Sequence, residues 1–330
     1  MSSLEHHWHH ITPLHLILYP VSLLFRILVA LRRALYRGGI LPGKKLTVPV
    51  IVIGNISVGG TGKTPLTLAL AQQLTQRGWH PLIVSRGYGG TAHQPMLVGT
   101  DSDAQQVGDE PLLMARRNLC PVWIGKDRAA AAQAALQTHP QCNVVLCDDG
   151  LQHYRLRRDI EIAVIDGARG FGNGFMLPAG PLREPVSRLH TVDVIVVNGG
   201  NTAPGQYAMC LSGEIFHNLL NPEKIVAASH FHALNNHAVA GIGHPQRYFR
   251  HLQTLCIPFT SHAFPDHHSY SAADLAFADC DAILLTEKDA VKCAAFADAR
   301  YWVLRVDAQI DPALIDHILR KIESHGLQTA

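Results

Sequence analysis

The chain has 330 residues, and its 28 basic and 26 acidic side chains leave a formal net charge of +2. An apolar fraction of 47% with 16% charged residues excludes a disordered chain, and the length favours two domains. The seven cysteines are scattered and form no C-x-x-C pair, which argues against a disulfide scaffold and fits reduced cytosolic thiols. Residues 1–100 carry nine basic side chains and one acidic one, Glu5, and this local charge of +8 indicates an anionic partner such as a membrane surface, nucleic acid or phosphate.

The first notable segment is apolar and runs from residue 14 to 31, LHLILYPVSLLFRILVAL, which is about the minimum length of a membrane span. A cleaved signal peptide is disfavoured, because the basic residues follow the apolar run instead of preceding it. A spanning helix has to accommodate His15 and Arg26 within the bilayer, which is costly. The preferred interpretation is an amphipathic helix kinked at Pro20 and seated in the membrane, and a helix buried against the domain is the alternative.

This helix has a narrow polar stripe and a basic cluster behind it. The stripe consists of residues at helical spacing: His15, Tyr19, Ser22, Arg26 and Arg33. The basic cluster contains no acidic residue: Arg32, Arg33, Arg37, Lys44 and Lys45. Such a cluster binds anionic headgroups and keeps its end of a helix on the cytoplasmic side. We therefore expect residues 1–37 to anchor the protein to a membrane containing anionic lipids.

A glycine-rich loop, NISVGGTGKTP, lies between a predicted buried strand, VPVIVIG at 48–54, and a segment with helical periodicity. In this context the loop amides face phosphate oxygens, Lys63 reaches the β- and γ-phosphates, and Thr64 binds Mg²⁺. The strict P-loop pattern has glycine where this chain has Ser57. The predicted nucleotide-binding residues are Ser57, Gly59, Gly60, Thr61, Gly62, Lys63 and Thr64.

Paired aspartates end another predicted strand, NVVLCDDG at 143–150. Because α/β sheets bind ligands at the carboxyl ends of their strands, Asp148 and Asp149 are candidate ligands of the same Mg²⁺, directly or through water. The alternative is an acidic turn that caps the next segment. Further predicted elements are strands at 81–85, 121–124, 160–165 and 192–197 and a helix at 126–137. Their alternation predicts a mostly parallel sheet covered on both faces.

The composition changes near residue 200, where NGGNTAPGQ at 198–206 is typical of a linker. Beyond it, apolar runs such as AILLT and YWVLRV alternate with helical segments and predict a second α/β unit. We therefore expect an α/β protein of three parts: an N-terminal membrane-associated helix at 1–37, a P-loop NTPase-like domain with a mostly parallel sheet at 38–205, and a smaller α/β domain at 206–330 that closes over the active site.

Several long motifs resemble those of the tetraacyldisaccharide 4′-kinase family of lipid A synthesis. In chain order they are GNISVGGTGKTP (54–65), SRGYGG (85–90), VGDEP (107–111), DDGLQHYRLRRD (148–159), DGARGFGNGFMLPAGPLREP (166–185), GIGHPQRYF (241–249), FPDHHSY (264–270) and TEKDAVK (286–292). The N-terminal membrane helix and the departure at Ser57 are likewise features of that family. The resemblance implies a kinase that uses ATP and Mg²⁺ to phosphorylate the 4′-hydroxyl of a tetraacylated glucosamine disaccharide 1-phosphate. It also implies a location on the cytoplasmic face of the bacterial inner membrane, as a peripheral or monotopic protein.

The resemblance assigns roles to individual residues. Asp109 of VGDEP is implied to be the base that accepts the hydroxyl proton, and His267 of FPDHH is implied to be its partner. Glu184 and Arg183 of PLREP are implied active-site residues, with Glu184 near Mg²⁺ or the acceptor. The implied catalytic set is thus Asp109, His267, Lys63, Asp149 and Glu184. Because the two members of the proton-accepting pair lie in different predicted domains, we expect a cleft that closes between them.

Four side chains are candidates for contact with the substrate or the catalytic network. Arg86 and Arg183 can neutralise phosphate charge, and one of them can meet the 1-phosphate of the substrate. Tyr88 either stacks on the sugar or packs in the core. His153 follows the aspartate pair closely. The role of Glu287, Lys288 and Asp289 stays open between closing over the nucleotide, linking the domains and capping a helix.

Two other classes of function compete with the kinase. A membrane-bound P-loop ATPase that acts on a protein partner would need the same loop and the same membrane helix. Nucleic-acid binding is disfavoured, because the basic residues flank an apolar run and lack interleaved aromatic side chains. We therefore expect a glycolipid substrate and an anionic membrane surface as partners, without nucleic acid or an obligate protein partner.

Overall fold

The computed structural model describes residues 7–8 and 12–326, so parts of the predicted anchor and the last four residues lie outside the described chain. The helices of the described part are α1 Leu14–Arg37, α2 Lys63–Gln76, α3 Ala104–Val107, α4 Asp109–Arg116, α5 Arg128–Thr138, α6 Pro245–Thr254, α7 Glu287–Cys293 and α8 Pro312–Gly326. Its strands are β1 Val50–Gly54, β2 Pro81–Ser85, β3 Met96–Leu97, β4 Val122–Ile124, β5 Val144–Cys147, β6 Ile160–Asp166, β7 Val194–Asn198, β8 Gln206–Ser212, β9 Ile215–Asn218, β10 Ile225–Ala227, β11 Asn236–Ala240, β12 Thr260–Ala263, β13 Ala282–Thr286, β14 Tyr301–Leu304 and β15 Asp307–Ile310. Short 3₁₀ helices occupy Val186–Thr191, Ala228–Phe231 and Ala272–Leu275.

The larger sheet has the strand order β15-β8-β7-β6-β1-β5-β2-β4-β3. The strands from β8 to β4 are parallel, and the two edge strands, β15 and β3, pair antiparallel. Its central strands are continuously apolar because helices cover both faces, with α2, α4 and α8 in the core on one side and α5 in the core on the other. The predicted mostly parallel P-loop domain is confirmed.

The smaller sheet has the order β10-β9-β14-β13-β11-β12. Its strands from β14 to β12 are parallel, whereas β9 and β10 pair antiparallel at one side. Helix α6 packs into the core on one face, and α7 packs into the core on the other. This unit is the expected smaller α/β domain.

The boundary between the two domains differs from the predicted one at residues 205 and 206. Strand β8 pairs parallel with β7, β15 pairs antiparallel with β8, and α8 packs in the core of the larger domain. The smaller domain is therefore an insertion between residues 213 and 306, and the chain crosses between the sheets twice. The prediction failed because the linker-like segment forms only the loop from β7 to β8, and β8 has a single fully buried residue, Met209, to mark it as a strand.

Helix α1 buries only the His15 and Ser22 part of its predicted polar stripe and leaves its apolar side exposed, while Tyr19 and Arg26 of the stripe are exposed as well. His15 and Ser22 are buried, whereas Leu16 and Ile17 are 82% and 72% exposed. Further exposed apolar residues on α1 are Val21, Leu23, Leu24, Ile27, Leu28 and Leu31. Pro20 lies within the helix, which by length and composition is able to cross a membrane. The exposed apolar side excludes the alternative of a helix buried against the domain.

Candidate active site

A cleft of about 780 Å³ lies between the phosphate loop of the larger domain and the smaller domain. Its larger-domain side is built by the loop that joins β1 to α2, by the turn after β5 and by Tyr88. Its smaller-domain side is built by α6, by the loop after β12 and by the start of α7. Because parallel strands of the larger sheet end here, the carboxyl ends of β1 and β5 deliver their loops to a single site.

The predicted phosphate loop forms the floor of the cleft. Residues 58–64 line it, and Gly59 and Gly62 have φ values of +98° and +97°. A Cβ at Gly62 would collide with Nδ2 of Asn198, which donates a hydrogen bond to the carbonyl of Thr61 at 2.9 Å. Ser57 does not line the cleft and forms an isolated β-bridge with Leu182. The structure therefore does not support contact of Ser57 with nucleotide, and its side chain replaces a glycine at the entry to the loop.

Asp149 lies among cations at the end of β5. Its Oδ1 is 3.6 Å from Nζ of Lys63, and Nη1 of Arg183 donates to both carboxylate oxygens at 3.1 and 3.2 Å. Burial acts to raise the pKa of Asp149, but the charges of Lys63 and Arg183 outweigh it and lower the pKa to about 2. The carboxylate thus stays ionised and holds both cations at the phosphate site.

Asp148 is fully buried and has one unpaired oxygen. Oγ1 of Thr67 donates to its Oδ1 at 3.2 Å, while the buried Oδ2 has no hydrogen-bond partner among the described residues. Burial, together with the charge of Glu110, raises the pKa of Asp148 to about 7. A nearby cation would stabilise the ionised form, so this oxygen and the cleft-lining Thr64 fit the predicted Mg²⁺ site. Residues 12–326 contain no group of three or more acidic, His or Cys side chains arranged as a metal cage, and Mg²⁺ bound to nucleotide phosphates needs only one or two protein ligands.

The structure brings Asp109 and His267 together although they are 158 positions apart in the chain. Nδ1 of His267, on the loop after β12, lies 3.2 Å from Oδ2 of Asp109 at the start of α4. Tyr88 packs beside the imidazole with ring centroids 5.3 Å apart. Burial acts to raise the pKa of Asp109, but the hydrogen bond from His267 and the charges of Lys292 and Lys288 leave it below its ordinary value.

Besides Ser57, the predicted site residues that do not line the cleft include Arg86, His153 and Glu184. Glu184 is completely buried and accepts hydrogen bonds from Gln152, Tyr154 and Arg188 at 2.7, 2.7 and 3.1 Å. Its predicted place near Mg²⁺ or the acceptor is therefore wrong, because internal donors occupy both carboxylate oxygens.

The other two displaced residues are His153 and Arg86. The His153 ring lies 3.7 Å from Asp127 outside the cleft, and burial together with the charge of Arg128 lowers the pKa of His153 to about 4. Arg86 is exposed and does not line the cleft either. Both residues follow strands of the larger sheet, but neither lines the cleft.

Several cleft residues were missed by the sequence reasoning or left without a role. They are Glu110, Arg169, Asn198, Arg247 and Lys288. Glu110 and Arg169 lie inside motifs that carry the resemblance. Glu110 directly follows Asp109, and Arg169 belongs to the glycine-rich segment, so the sequence already contained a signal for both. Arg247 also lies inside one of these motifs, GIGHPQRYF, and in the fold its Nη2 donates to Oδ1 of Asn198 across the cleft at 2.6 Å.

The three residues at the start of α7 have separate surroundings. Glu287 accepts from Nη2 of Arg117 at 2.8 Å and so links the two domains. Lys288 lines the cleft. Asp289 is buried and accepts hydrogen bonds from the amide of Gly241 at 3.1 Å and from Oγ1 of Thr286 at 2.6 Å. It thereby supports the loop after β11, whose residues 242–244 line the cleft.

The glycine-rich segment at 167–181 packs against α1. Phe175 contacts the rings of His15 and Tyr19, and Oγ of Ser22 donates to the carbonyl of Met176 at 2.7 Å. The same segment places Nη1 of Arg169 beside Gly59, 3.3 Å from where a Cβ would lie. It therefore connects the exposed helix to the phosphate loop.

Comparison with known proteins extends over nearly the whole chain. Residues 14–323 match the model of the LpxK family, tetraacyldisaccharide-1-P 4′-kinase. The tetraacyldisaccharide 4′-kinase of Methylobacillus flagellatus is 50% identical over 97% of this chain and 95% of its own length, and that of Azoarcus sp. is 49% identical over 99% and 97%.

Structural similarity agrees with these sequence matches. The crystal structure of an "apo" form of LpxK from Aquifex aeolicus in complex with ATP has a TM-score of 0.78 and 28% identity, covering 92% of this chain and 98% of that one. These matches do not favour the alternative of an ATPase that acts on a protein partner. The resemblance seen in the motifs is confirmed, and the chain belongs to the tetraacyldisaccharide-1-P 4′-kinase family.

Proposed function

We propose that this chain transfers the γ-phosphoryl group of ATP to the 4′-hydroxyl of a tetraacylated glucosamine disaccharide 1-phosphate in lipid A biosynthesis. The observation that carries the proposal is that one cleft is lined both by the phosphate loop with Lys63 and by His267 of the smaller domain, whose imidazole contacts Asp109 of the larger domain. Kinases matched along the full chain carry the same activity in their names.

Phosphoryl transfer depends mainly on positioning and charge neutralisation, and the residues of the cleft supply both. Lys63 and Arg183 are the cations for the phosphates, and Asp149 holds them in place. Mg²⁺, when bound, neutralises further phosphate charge, and its candidate ligands are Thr64, Asp148 and Asp149. A site organised in this way favours the transition state because its charges are fixed before the substrate arrives.

Asp109 is the proton acceptor in this proposal. As the 4′-oxygen bonds to the γ-phosphorus, the bond from phosphorus to the bridging oxygen of ATP breaks, ADP leaves, and the hydroxyl proton passes to Asp109. An ionised carboxylate is available at neutral pH because the pKa of Asp109 lies below its ordinary value. His267 orients the carboxylate through Oδ2, which leaves the other oxygen for the substrate.

We further propose that α1 seats the protein on the cytoplasmic face of the bacterial inner membrane, as a peripheral or monotopic protein. The exposed apolar side of α1 and the basic cluster at residues 32–45 suit an interface with anionic lipids. An acylated substrate resides in the same membrane, so the anchor and the substrate share a surface. The packing of the glycine-rich segment on α1 keeps the phosphate loop close to that surface.

A transfer assay tests the proposed function. Purified protein is incubated with γ-labelled ATP and tetraacyl disaccharide 1-phosphate in vesicles, and the lipid is then extracted. We expect label in the lipid fraction with wild-type protein and none with Lys63→Ala, because the lysine holds the phosphates. Release of labelled inorganic phosphate without any labelled lipid would contradict the proposal and support an ATPase.

A further inference from the structure

Lys288 contacts the side of His267 that faces away from Asp109. It is the second residue of α7, and its side chain is only 15% exposed. Its Nζ lies 3.0 Å from Oδ1 of Asp266, 3.4 Å from Nε2 of His267 and 3.6 Å from Oε1 of Glu110. The imidazole is therefore held between a carboxylate at Nδ1 and an ammonium group at Nε2.

This arrangement discriminates between the two neutral tautomers of the imidazole. An ammonium group has three donors and no acceptor, so the nitrogen that faces it has to present a lone pair. A proton on Nε2 would point at the hydrogens of Lys288, whereas a proton on Nδ1 points at the carboxylate of Asp109. The contacts at both nitrogens thus favour the same tautomer.

The charged neighbours on all sides of His267 are few. Those in contact with it are Asp109 from α4, Asp266 from its own loop and Lys288 from α7. Behind them, Glu110 of α4 contacts Lys288, and Lys292 of α7 is close enough to act on Asp109. Asp266 opposes the effect of Lys288, because its Oδ2 lies 3.9 Å from Nε2 and would attract a proton there. Lys288 counters this by binding the other oxygen of Asp266.

The position and charge of Lys288 are themselves fixed. Oγ1 of Thr286 caps α7, and the preceding residue, Glu287, is held by Arg117 of the other domain. Burial acts to lower the pKa of Lys288, but Glu110 and Asp266 outweigh it and leave the pKa above its ordinary value. Lys288 therefore carries a positive charge, and contacts at the start of α7 hold it in place.

We propose that Lys288 is a positioning residue that holds His267 as the neutral Nδ1–H tautomer and so directs its hydrogen bond to Asp109. This role deepens the proposed function and rests on it for the part played by Asp109. Lys288 does not touch the reacting atoms in this account. The strained backbone of His267, with φ +61°, fits a ring whose orientation is imposed by its surroundings.

NMR of ¹⁵N-histidine-labelled protein tests the tautomer directly and needs no kinase activity. The His267 resonances are identified by their loss in His267→Gln. We expect a protonated Nδ1 and an unprotonated Nε2 in wild-type protein at pH 7.5. In Lys288→Met, a proton on Nε2 becomes populated, because Asp266 then faces that nitrogen without competition. The spectrum of Lys224→Met, which loses an exposed lysine of the same domain, is expected to match wild type at His267.

Kinetics supply the second readout. Lys288→Met is expected to lower kcat roughly 10–100-fold, the usual effect of losing a residue that orients a functional side chain, with the KM for ATP changed by less than about twofold. Lys288→Arg is expected to recover most of the activity, because guanidinium also offers only donors.

Two results would overturn the proposal. A wild-type His267 protonated on Nε2 would do so even if Lys288→Met failed to fold, and an unchanged tautomer in folded Lys288→Met would do so as well. Failure of the proposed function is separately visible. If the tautomer changes as expected but the wild-type protein phosphorylates no lipid, the positioning role stands and the assigned reaction falls.

Discussion

His267 adopts a left-handed backbone conformation that costs a residue other than glycine roughly 1–3 kcal/mol. Strain of this size persists only where the surroundings fix the residue, and here Asp109, Lys288 and Tyr88 contact its ring. The side chain of Asp109 is only 14% exposed and contacts the imidazole of His267, which lines the cleft. The two residues accordingly form one unit in which the carboxylate has the chemical role and the imidazole the orienting role.

Substitutions in this pair separate the two roles. Asp109→Asn keeps the shape of the side chain but removes the proton acceptor, and we expect kcat to fall about 10²–10⁴-fold while ATP binds with unchanged affinity. His267→Gln is expected to cost about tenfold less, because the acceptor is still present. Exposed Asp101→Asn serves as control. A larger loss in His267→Gln than in Asp109→Asn, measured by single-turnover transfer, would assign proton acceptance to the histidine.

His153 makes the stability of the protein depend on pH. Its pKa in the folded protein is about 4, below the ordinary value of 6.5, so the folded state excludes a proton that the unfolded chain binds. The destabilisation is absent above pH 6.5 and grows as the pH falls toward 4, to roughly 3 kcal/mol at most. We expect His153→Gln to lose less stability than wild type between pH 7 and pH 5 in urea unfolding. Equal losses would show that His153 does not exclude the proton.

At the scale of elements, the phosphate loop depends on one close backbone approach. Gly62 combines a φ of +97° with a neighbouring side chain, that of Asn198, where a Cβ would lie. Gly60 has neither constraint, since nothing lies within 4 Å of its Cβ position. The conformation of the loop therefore requires glycine at position 62 but not at position 60.

Alanine substitutions test this difference. Gly62→Ala is expected to lower the free energy of unfolding by about 1–3 kcal/mol through backbone strain, with a further loss from the contact with Asn198. Gly60→Ala is expected to stay within about 0.5 kcal/mol of wild type. Urea denaturation gives both values. If the two variants were equally stable, the conformation described for Gly62 would be refuted.

Helix α1 is the second element whose role can be measured. Replacing Leu24 and Leu28 by serine removes two exposed apolar side chains without touching the buried His15 and Ser22. If each buries in lipid, its loss costs roughly 1–2 kcal/mol, and together they should weaken binding to anionic vesicles about 30-fold or more. Leu97→Ser, an exposed leucine on β3, is the matched control. Unchanged co-sedimentation of the double variant would argue against insertion of α1.

At the scale of the whole molecule, Arg117 joins the two domains near the crossing points of the chain. It follows α4, and its guanidinium donates to Glu287 at 2.8 Å, to Asp307 at 2.7 Å and to the carbonyl of Val306 at 2.8 Å. Helix α4 carries Asp109 at its other end. Residues at both ends of the helix therefore contact the smaller domain, Asp109 through His267 and Arg117 through Glu287.

A double-mutant cycle measures this link. Arg117→Met leaves Glu287 buried without its cation and is expected to cost about 3 kcal/mol, while adding Glu287→Leu recovers part of the loss, for a coupling above about 1 kcal/mol. The exposed pair Asp298 and Arg300, 2.7 Å apart, is the control and should couple by less than about 1 kcal/mol. Equal coupling in both pairs would mean that Arg117 contributes no more than a surface ion pair.

The sequence predicted what depends on local patterns. The phosphate loop, the aspartates after β5 and the parallel sheet follow from short apolar runs and glycine spacing, and the pairing of Asp109 with His267 came from a family resemblance. The insertion of the smaller domain was not predictable, because the pairing of β8 with β15 joins segments about a hundred residues apart. The burial of Glu184 also depends on folding, since Gln152 and Tyr154 come from another loop.

The central claim is that the cleft directs a phosphoryl group to one hydroxyl of an acylated disaccharide. The most direct measurement is ³¹P NMR of the lipid product, made with wild-type protein in vesicles, together with the amount of ADP formed. The account predicts a new phosphomonoester at the 4′ position, formed in equal amount to ADP and nearly absent with Asp109→Asn. Formation of ADP and inorganic phosphate with unmodified lipid, or phosphate at another hydroxyl, would contradict it.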